Sequence, residues 1–140
     1  MEIKLDDQGL RDAFKRLGRY TNNFEPALKE MGEYYHGAVD ERFRQERDHK
    51  GQPWKRLSPR YAAWKARQPT AIQKKNQLTG IMRAGMNYRT NRTEMKFGSD
   101  RVYASVRNKD RPFINPSSQD ISKFTQILKE RAADAWRGVG

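Results

Sequence analysis

The sequence predicts an α+β fold: a small antiparallel sheet of three to four strands, packed with two long N-terminal helices, one or two short middle helices and a C-terminal helix. Three observations carry this. Apolar residues recur at helical spacing near both ends of the chain. β-formers separated by polar residues run from Tyr88 to Val106. Gly, Pro, Asn and Ser clusters punctuate the boundaries between these stretches. Residues 1–140 are expected to form one domain, with a basic, partly mobile loop region near 48–77.

The elements follow in order. Ile3 and Leu5 alternate with Glu2 and Lys4, which predicts a short strand over Met1–Leu5. Asp6 or Asp7 caps a first helix whose stripe is Leu10, Ala13, Phe14 and Leu17, extended by Tyr20. Thr21-Asn22-Asn23 leads out of it. Pro26 opens a second helix at a favoured first-turn position. Its apolar side is Leu28, Met31, Tyr35, Ala38 or Val39, with Phe43 or the stem of Arg42, and it is expected to end between Asp48 and Gly51. Gly32 and Gly37 fall inside it, either admitting another helix closely or tolerated as defects.

Gly51 to Lys65 reads as a loop that turns into a third helix. Ser58 is its N-cap and Pro59 its first helical residue. Trp54 and Leu57 precede the cap and can fold back as a hydrophobic staple. Two readings coexist here: the aromatics pack a small core, and the cations between them face a partner. Gln68-Pro69 stops the helix, Thr70–Asn76 is a mobile loop, and Leu78–Met86 gives a short fourth helix. Strands are predicted near 87–91, 93–98 and 102–107, with turns at Asn91-Arg92 and Gly98-Ser99-Asp100. After a loop over Asn108–Pro116, Ser117 or Ser118 caps the last helix. Its stripe is Ile121, Phe124, Leu128, Ala132 and Ala135, closed by Trp136.

Composition bounds the function. A third of the residues are charged, so the core is thin for 140 residues and association with copies of itself is expected to complete it. The net charge of +12 favours polyanionic partners. It is concentrated: between Arg42 and Lys75 eleven Lys and Arg face two acidic residues. With no cysteine there is neither a disulfide framework nor a thiolate nucleophile. No apolar run suits a signal peptide or a membrane span, so no membrane partner is expected.

No catalytic constellation stands out, and neither an enzyme, a metal nor a cofactor is expected. The two histidines are read separately: His36 as a half-buried packing residue, His49 as a solvated residue of a charged turn beside Asp48. Asp40-Glu41 with Arg44 and Arg47 reads as an ion-paired surface. The basic stretch is different. Lys55, Arg56, Arg60, Lys65 and Arg67 interleave with Trp54, Tyr61 and Trp64, a texture that suits nucleic acid because bases stack on rings while cations hold phosphates.

Gly51, Trp54, Leu57, Ser58, Tyr61 and Lys65 stand in the order G-x-x-W-x-x-L-S-x-x-T/Y-x-x-x-K. This resembles the phage virion morphogenesis proteins, the tail completion proteins of tailed phages. Leu78-Thr79-Gly80-Ile81-Met82 resembles that family's L-x-T-G-x-L segment, with Thr79 and Gly80 in place and Met82 in the leucine position. Phe97-Gly98-Ser99 resembles its V-G-S strand end, Val102-Tyr103-Ala104 its Y-A strand, and Arg111-Pro112-Phe113-Ile114 its R-P-F-L loop. Together these span about residues 43–125. The chain departs where the family follows Y-A with a His-x-x-Gly segment and a longer loop, which bears on a subunit contact and not on the fold.

The resemblance implies a structural protein of the virion's tail or neck, assembled in the host cytoplasm: a homo-oligomeric ring, with six copies the expectation, contacting the tail tube protein and head–tail connector or adaptor proteins. Lys55, Arg56, Arg60, Arg67, Lys74 and Lys75 are candidates for contact with DNA in the ring lumen or with an acidic neighbour. The alternative is a basic, sequence-nonspecific nucleic-acid-binding protein of a mobile element.

Overall fold

The computed structural model describes residues 7–73, 75, 83, 86–99, 108, 111 and 113–138. Among them the chain forms four helices and a two-stranded antiparallel sheet: α1 (Gln8–Gly18), α2 (Glu25–Gln45), α3 (Pro59–Ala66), β1 (Met86–Thr90), β2 (Met95–Ser99) and α4 (Ser118–Trp136). The strands expected over 1–5 and 102–107, and most of the helix expected over 78–86, lie outside the described residues.

The helix starts are set by short polar side chains. The Asp7 carboxylate accepts from the Leu10 amide at 2.9 Å, which satisfies one of α1's free donors. At α2 the cap residue is Phe24, whose side chain offers nothing. Asn23 instead accepts from the Glu25 amide at 3.2 Å, with Pro26 in the first turn. Ser117 and Asp120 close a reciprocal capping box on α4: Ser117 Oγ accepts from the Asp120 amide and Asp120 Oδ2 from the Ser117 amide, both at 2.9 Å.

α2 is the centre of the molecule. Its 21 residues reach about 31 Å at 1.5 Å per residue. It packs against α4 and against the β-hairpin, while α1 lies along α4. Ala27, Leu28, Met31, Tyr35, Val39 and Phe43 are buried along it. Tyr35 stacks on Phe97 of β2 at 4.9 Å and meets Phe124 of α4 edge-on at 5.6 Å, so one side chain ties three elements together. Its hydroxyl donates to the Ile114 carbonyl.

β1 and β2 pair from Met86↔Ser99 to Thr90↔Met95, and Tyr88 lies opposite Phe97. Asn91 makes the turn: its Oδ1 accepts from the Thr93 and Glu94 amides, each at 2.9 Å. The Arg92 carbonyl then accepts from the Phe24 amide at 2.9 Å and pins the hairpin tip to the start of α2.

Several expectations need correction. The strands run 86–90 and 95–99, one or two residues from the expected bounds, and Met86 begins a strand where a helix was expected to end. α2 stops at Gln45 because Glu46 turns left-handed at φ 55°. Gly32 does admit a close neighbour, but it is the Tyr88 ring of β1 and not a helix, whereas Gly37 faces open space. Tyr20 is exposed, and Trp136, 73% exposed, extends α4 into solvent without closing its stripe, while Ile127, outside the expected stripe, is buried. No described helix is long and apolar enough to cross a membrane.

Candidate interaction surface

The segment between α2 and α3 is shaped by one acidic side chain. Asp48 Oδ1 accepts from the Lys50 amide at 2.8 Å and the Gln52 amide at 2.9 Å. Its own amide donates to the Gln52 carbonyl at 2.9 Å, and Gly51 supplies the left-handed φ of 79° the turn requires. Arg47 bridges Pro53 across this small loop, and the Trp54 amide reaches the Glu46 carbonyl at 2.8 Å. The chain therefore doubles back at α2's end and delivers Trp54 to the core.

There Trp54 is buried edge-on against Phe43 at 5.5 Å, and Phe43 packs on Phe113 at 5.0 Å. Arg111 is buried and works as a fork: Nε donates to the Lys55 carbonyl at 2.9 Å and Nη2 to the Arg56 carbonyl at 3.1 Å. Lys75 closes the other side. Its amide donates to Glu46 Oε1 at 2.7 Å and its Nζ to the Trp54 carbonyl at 2.8 Å. Ser58 caps α3 by accepting from the Tyr61 amide at 3.3 Å.

Under this lies a polar network that spans the whole fold. Arg42 is buried on α2 and donates to the carbonyls of Phe113 at 2.9 Å and Asn115 at 2.7 Å, and to the Asp120 carboxylate at the start of α4. The other Asp120 oxygen accepts from the Tyr34 hydroxyl at 2.9 Å. Burial, and then this hydrogen bond, pushes the Tyr34 hydroxyl up to about 12, so it stays a donor. Burial likewise raises Tyr35. Asn108 completes the arrangement by accepting from the Phe113 and Ile114 amides at 2.9 and 3.0 Å. The network holds the 113–115 loop, and with it Phe113 beneath Phe43 and Trp54.

The sequence-predicted residues thus divide. Trp54, Lys65, Arg111 and Phe113 face inward, Leu57 and Tyr61 are half-buried, and Gly51 and Ser58 act in the turn and the cap. Thr79, Gly80, Met82, Pro112 and Lys74 lie outside the described residues. Among the candidate contact cations, Lys55, Arg56, Arg60 and Arg67 are exposed, but Lys75 is half-buried and engaged on Trp54. Two of the residues read as interleaved on a nucleic-acid surface are therefore inside: Trp54 and Lys65, the latter only 2% exposed. Arg42, whose stem the sequence places on the apolar side of α2, is buried with its guanidinium as well.

The histidines depart from their reading to different degrees. His36 is exposed, yet its ring packs edge-on against Phe97 at 6.3 Å, with Nε2 3.1 Å from the Met86 carbonyl. His49 is not solvated: its Nδ1 is buried without a hydrogen-bond partner among the described residues, and burial lowers its pKa. Asp40 pairs with Arg83, not with its sequence neighbours, at 2.6 Å, while Glu41 takes Arg44. Sequence reasoning missed Arg83 and the organising role of Asp48. The second was accessible in principle, since an Asp three residues before a Gly is a common turn signal.

Among the described residues no group of three or more His, Asp or Glu could hold a metal. The groove of about 630 Å³ between α1, α2 and β2 is lined mainly by Leu10, Phe14, Met31, Met95 and Phe97, without convergent acid–base groups. What remains exposed and organised is α3, where Tyr61 and Trp64 stack at 5.7 Å and 26°, with Trp64 42% exposed.

Fold and site together define a small α+β domain that holds a basic, aromatic-bearing helix on its core through a clamp of buried side chains. The chain belongs to the phage virion morphogenesis family, whose model matches residues 5–109. The match covers the Gly51–Lys65 pattern and ends before Arg111. No curated protein and no solved structure matches the chain significantly. The family gives the chain a structural role in making the phage particle.

Proposed function

We propose that the chain completes the phage tail and joins it to the head, as a non-enzymatic subunit of a ring at the tail terminus or neck. Six copies are expected in the ring, with the tail tube protein on one face and a connector or adaptor protein on the other. The observation that supports this best is the membership itself, taken with how the pattern residues are used. Trp54 and Lys65 are buried and Ser58 caps α3, so the pattern residues serve to build a platform. An assembly subunit needs such a platform, because an interface gains affinity when its contact groups are ordered before the partner arrives.

The basic exposed residues Lys55, Arg56, Arg60 and Arg67 face either DNA in the lumen or an acidic neighbour in this reading. The test is disruption of the gene in its phage, with lysates imaged by negative-stain microscopy. Separate heads and tails, or tails of irregular length, are expected, and the wild-type chain supplied in trans restores joined particles. Complete, infectious particles that lack the chain would overturn the reading.

A further inference from the structure

From His49 to Thr93 the chain carries eleven Lys and Arg and no Asp or Glu. Four exposed cations on or at the ends of α2 and α4 meet carboxylates of the same chain: Lys29 meets Glu25, Arg44 meets Glu41, Arg131 meets Glu30 and Arg137 meets Asp134. Arg56, Arg60 and Arg67 are exposed and reach no carboxylate among the described residues. Arg60, Trp64 and Arg67 stand at i, i+4 and i+7, so they share one face of the helix. Tyr61 stacks on Trp64 and stiffens it, while Lys65, on the far side, is buried.

We infer that this face of α3 docks a different protein of the particle, one that presents carboxylates around an apolar residue. An apolar ring centred among guanidinium groups has the anatomy of a protein interface, in which Trp, Tyr and Arg are the enriched types. A second copy of this chain is a poor occupant. The face is cationic, and the chain's own carboxylates on α2 and α4, which would have to meet it, are largely engaged with its own cations. Duplex DNA is also a poor occupant. Its bases are already stacked and offer Trp64 no partner, and the Tyr61–Trp64 separation leaves no slot for a single-stranded base between the rings.

The inference rests on the virion reading, and one experiment separates the two. Benzoylphenylalanine, a photoreactive residue, replaces Trp64 in the full chain, and in a control replaces the exposed Trp136. Each form is expressed where the particle assembles, irradiated, and the joined segment sequenced by mass spectrometry. The position-64 adduct is expected on another protein, in a segment where Asp and Glu outnumber Lys and Arg. Arg60→Glu with Arg67→Glu is expected to lower its yield about tenfold while circular dichroism stays native. If that pair fails to fold, Arg60→Gln with Arg67→Gln is expected to lower it about threefold. A nucleic-acid adduct, a second copy of this chain, a segment without acidic excess, or a yield indifferent to the charge changes overturns the inference. An acidic partner captured while this chain and that partner are both absent from purified particles leaves the charge-matched docking face standing and removes the virion reading.

Discussion

Gly32→Ala tests the packing of α2 on the hairpin. A Cβ placed there lies 2.5 to 2.7 Å from the Cδ2, Cε2 and Cγ atoms of Tyr88, where carbon atoms prefer about 3.5–4.0 Å. The ring must therefore retreat by about 1 Å. It is not free to do so, because Tyr88 is paired opposite Phe97 in the sheet and its hydroxyl donates to Glu33 on α2. Overpacking of this kind costs about 1–3 kcal/mol, against a gain of about 1 kcal/mol from replacing a mid-helix glycine. A net loss near 1 kcal/mol is expected. Gly37 lies on the same helix with nothing within 4 Å, so Gly37→Ala should gain about 1 kcal/mol. The two variants should differ by about 7 °C in thermal melts followed by circular dichroism at fixed protein concentration. In a Tyr88→Ala background the penalty at position 32 should vanish. Gly32→Ala matching Gly37→Ala in stability, or a penalty that survives removal of the ring, would refute the close approach.

Four further outcomes follow from the same contacts. Arg42→Met leaves the Asp120 carboxylate buried beside Tyr34 without its cation, and should cost about 3–5 kcal/mol in urea unfolding. Arg111→Ala frees the carbonyls of Lys55 and Arg56, and should cost about 2 kcal/mol and speed tryptic cleavage after those two residues. Glu46→Ala should destabilise by about 1 kcal/mol, losing the acceptor for the Lys75 amide in a left-handed conformation, while Glu46→Gly recovers the backbone term and falls between. Burial sets the folded pKa of His49 below its ordinary 6.5, so the unfolded chain binds its proton first as pH falls. Stability should be flat with respect to this group well above pH 6.5 and decline as pH falls through and below it, and His49→Gln should flatten that decline.

The legible parts of the fold were those set by near neighbours. Asp7, Pro26, Ser58-Pro59 and the Ser117 box announce helix starts because capping acts within one turn. The stripes of α1 and α2 follow from a period of 3.6. The illegible parts depend on distant residues. The stem of Arg42 reads as part of the apolar side of α2, but the groups its head meets, Asp120 78 positions away and the carbonyls of the 113–115 loop, cannot be read there. Lys65 reads as a partner-facing cation, although its side chain is buried. Gly32 reads as a helix contact because sequence shows that a neighbour comes near but not which one. Trp136 reads as core because large apolar residues usually are, yet a helix end can carry one into solvent.

If α3 docks a partner as proposed, the Gly51–Lys65 pattern separates the residues that support the helix from those that meet the partner. Its specified positions are Gly51, Trp54, Leu57, Ser58, Tyr61 and Lys65, and these supply the turn, the anchor, the cap and the buried side of α3. Its unspecified positions include 55, 56, 60 and 64, which in this chain are Lys55, Arg56, Arg60 and Trp64, all exposed. Periodicity enforces the split, since a helix whose Lys65 is buried must turn residues 60, 64 and 67 outward. Substitution at the outward set changes charge and shape at the surface without disturbing the clamp formed by Arg111, Lys75 and the aromatic cluster. One platform can thus be kept while the surface it presents is fitted to another neighbour.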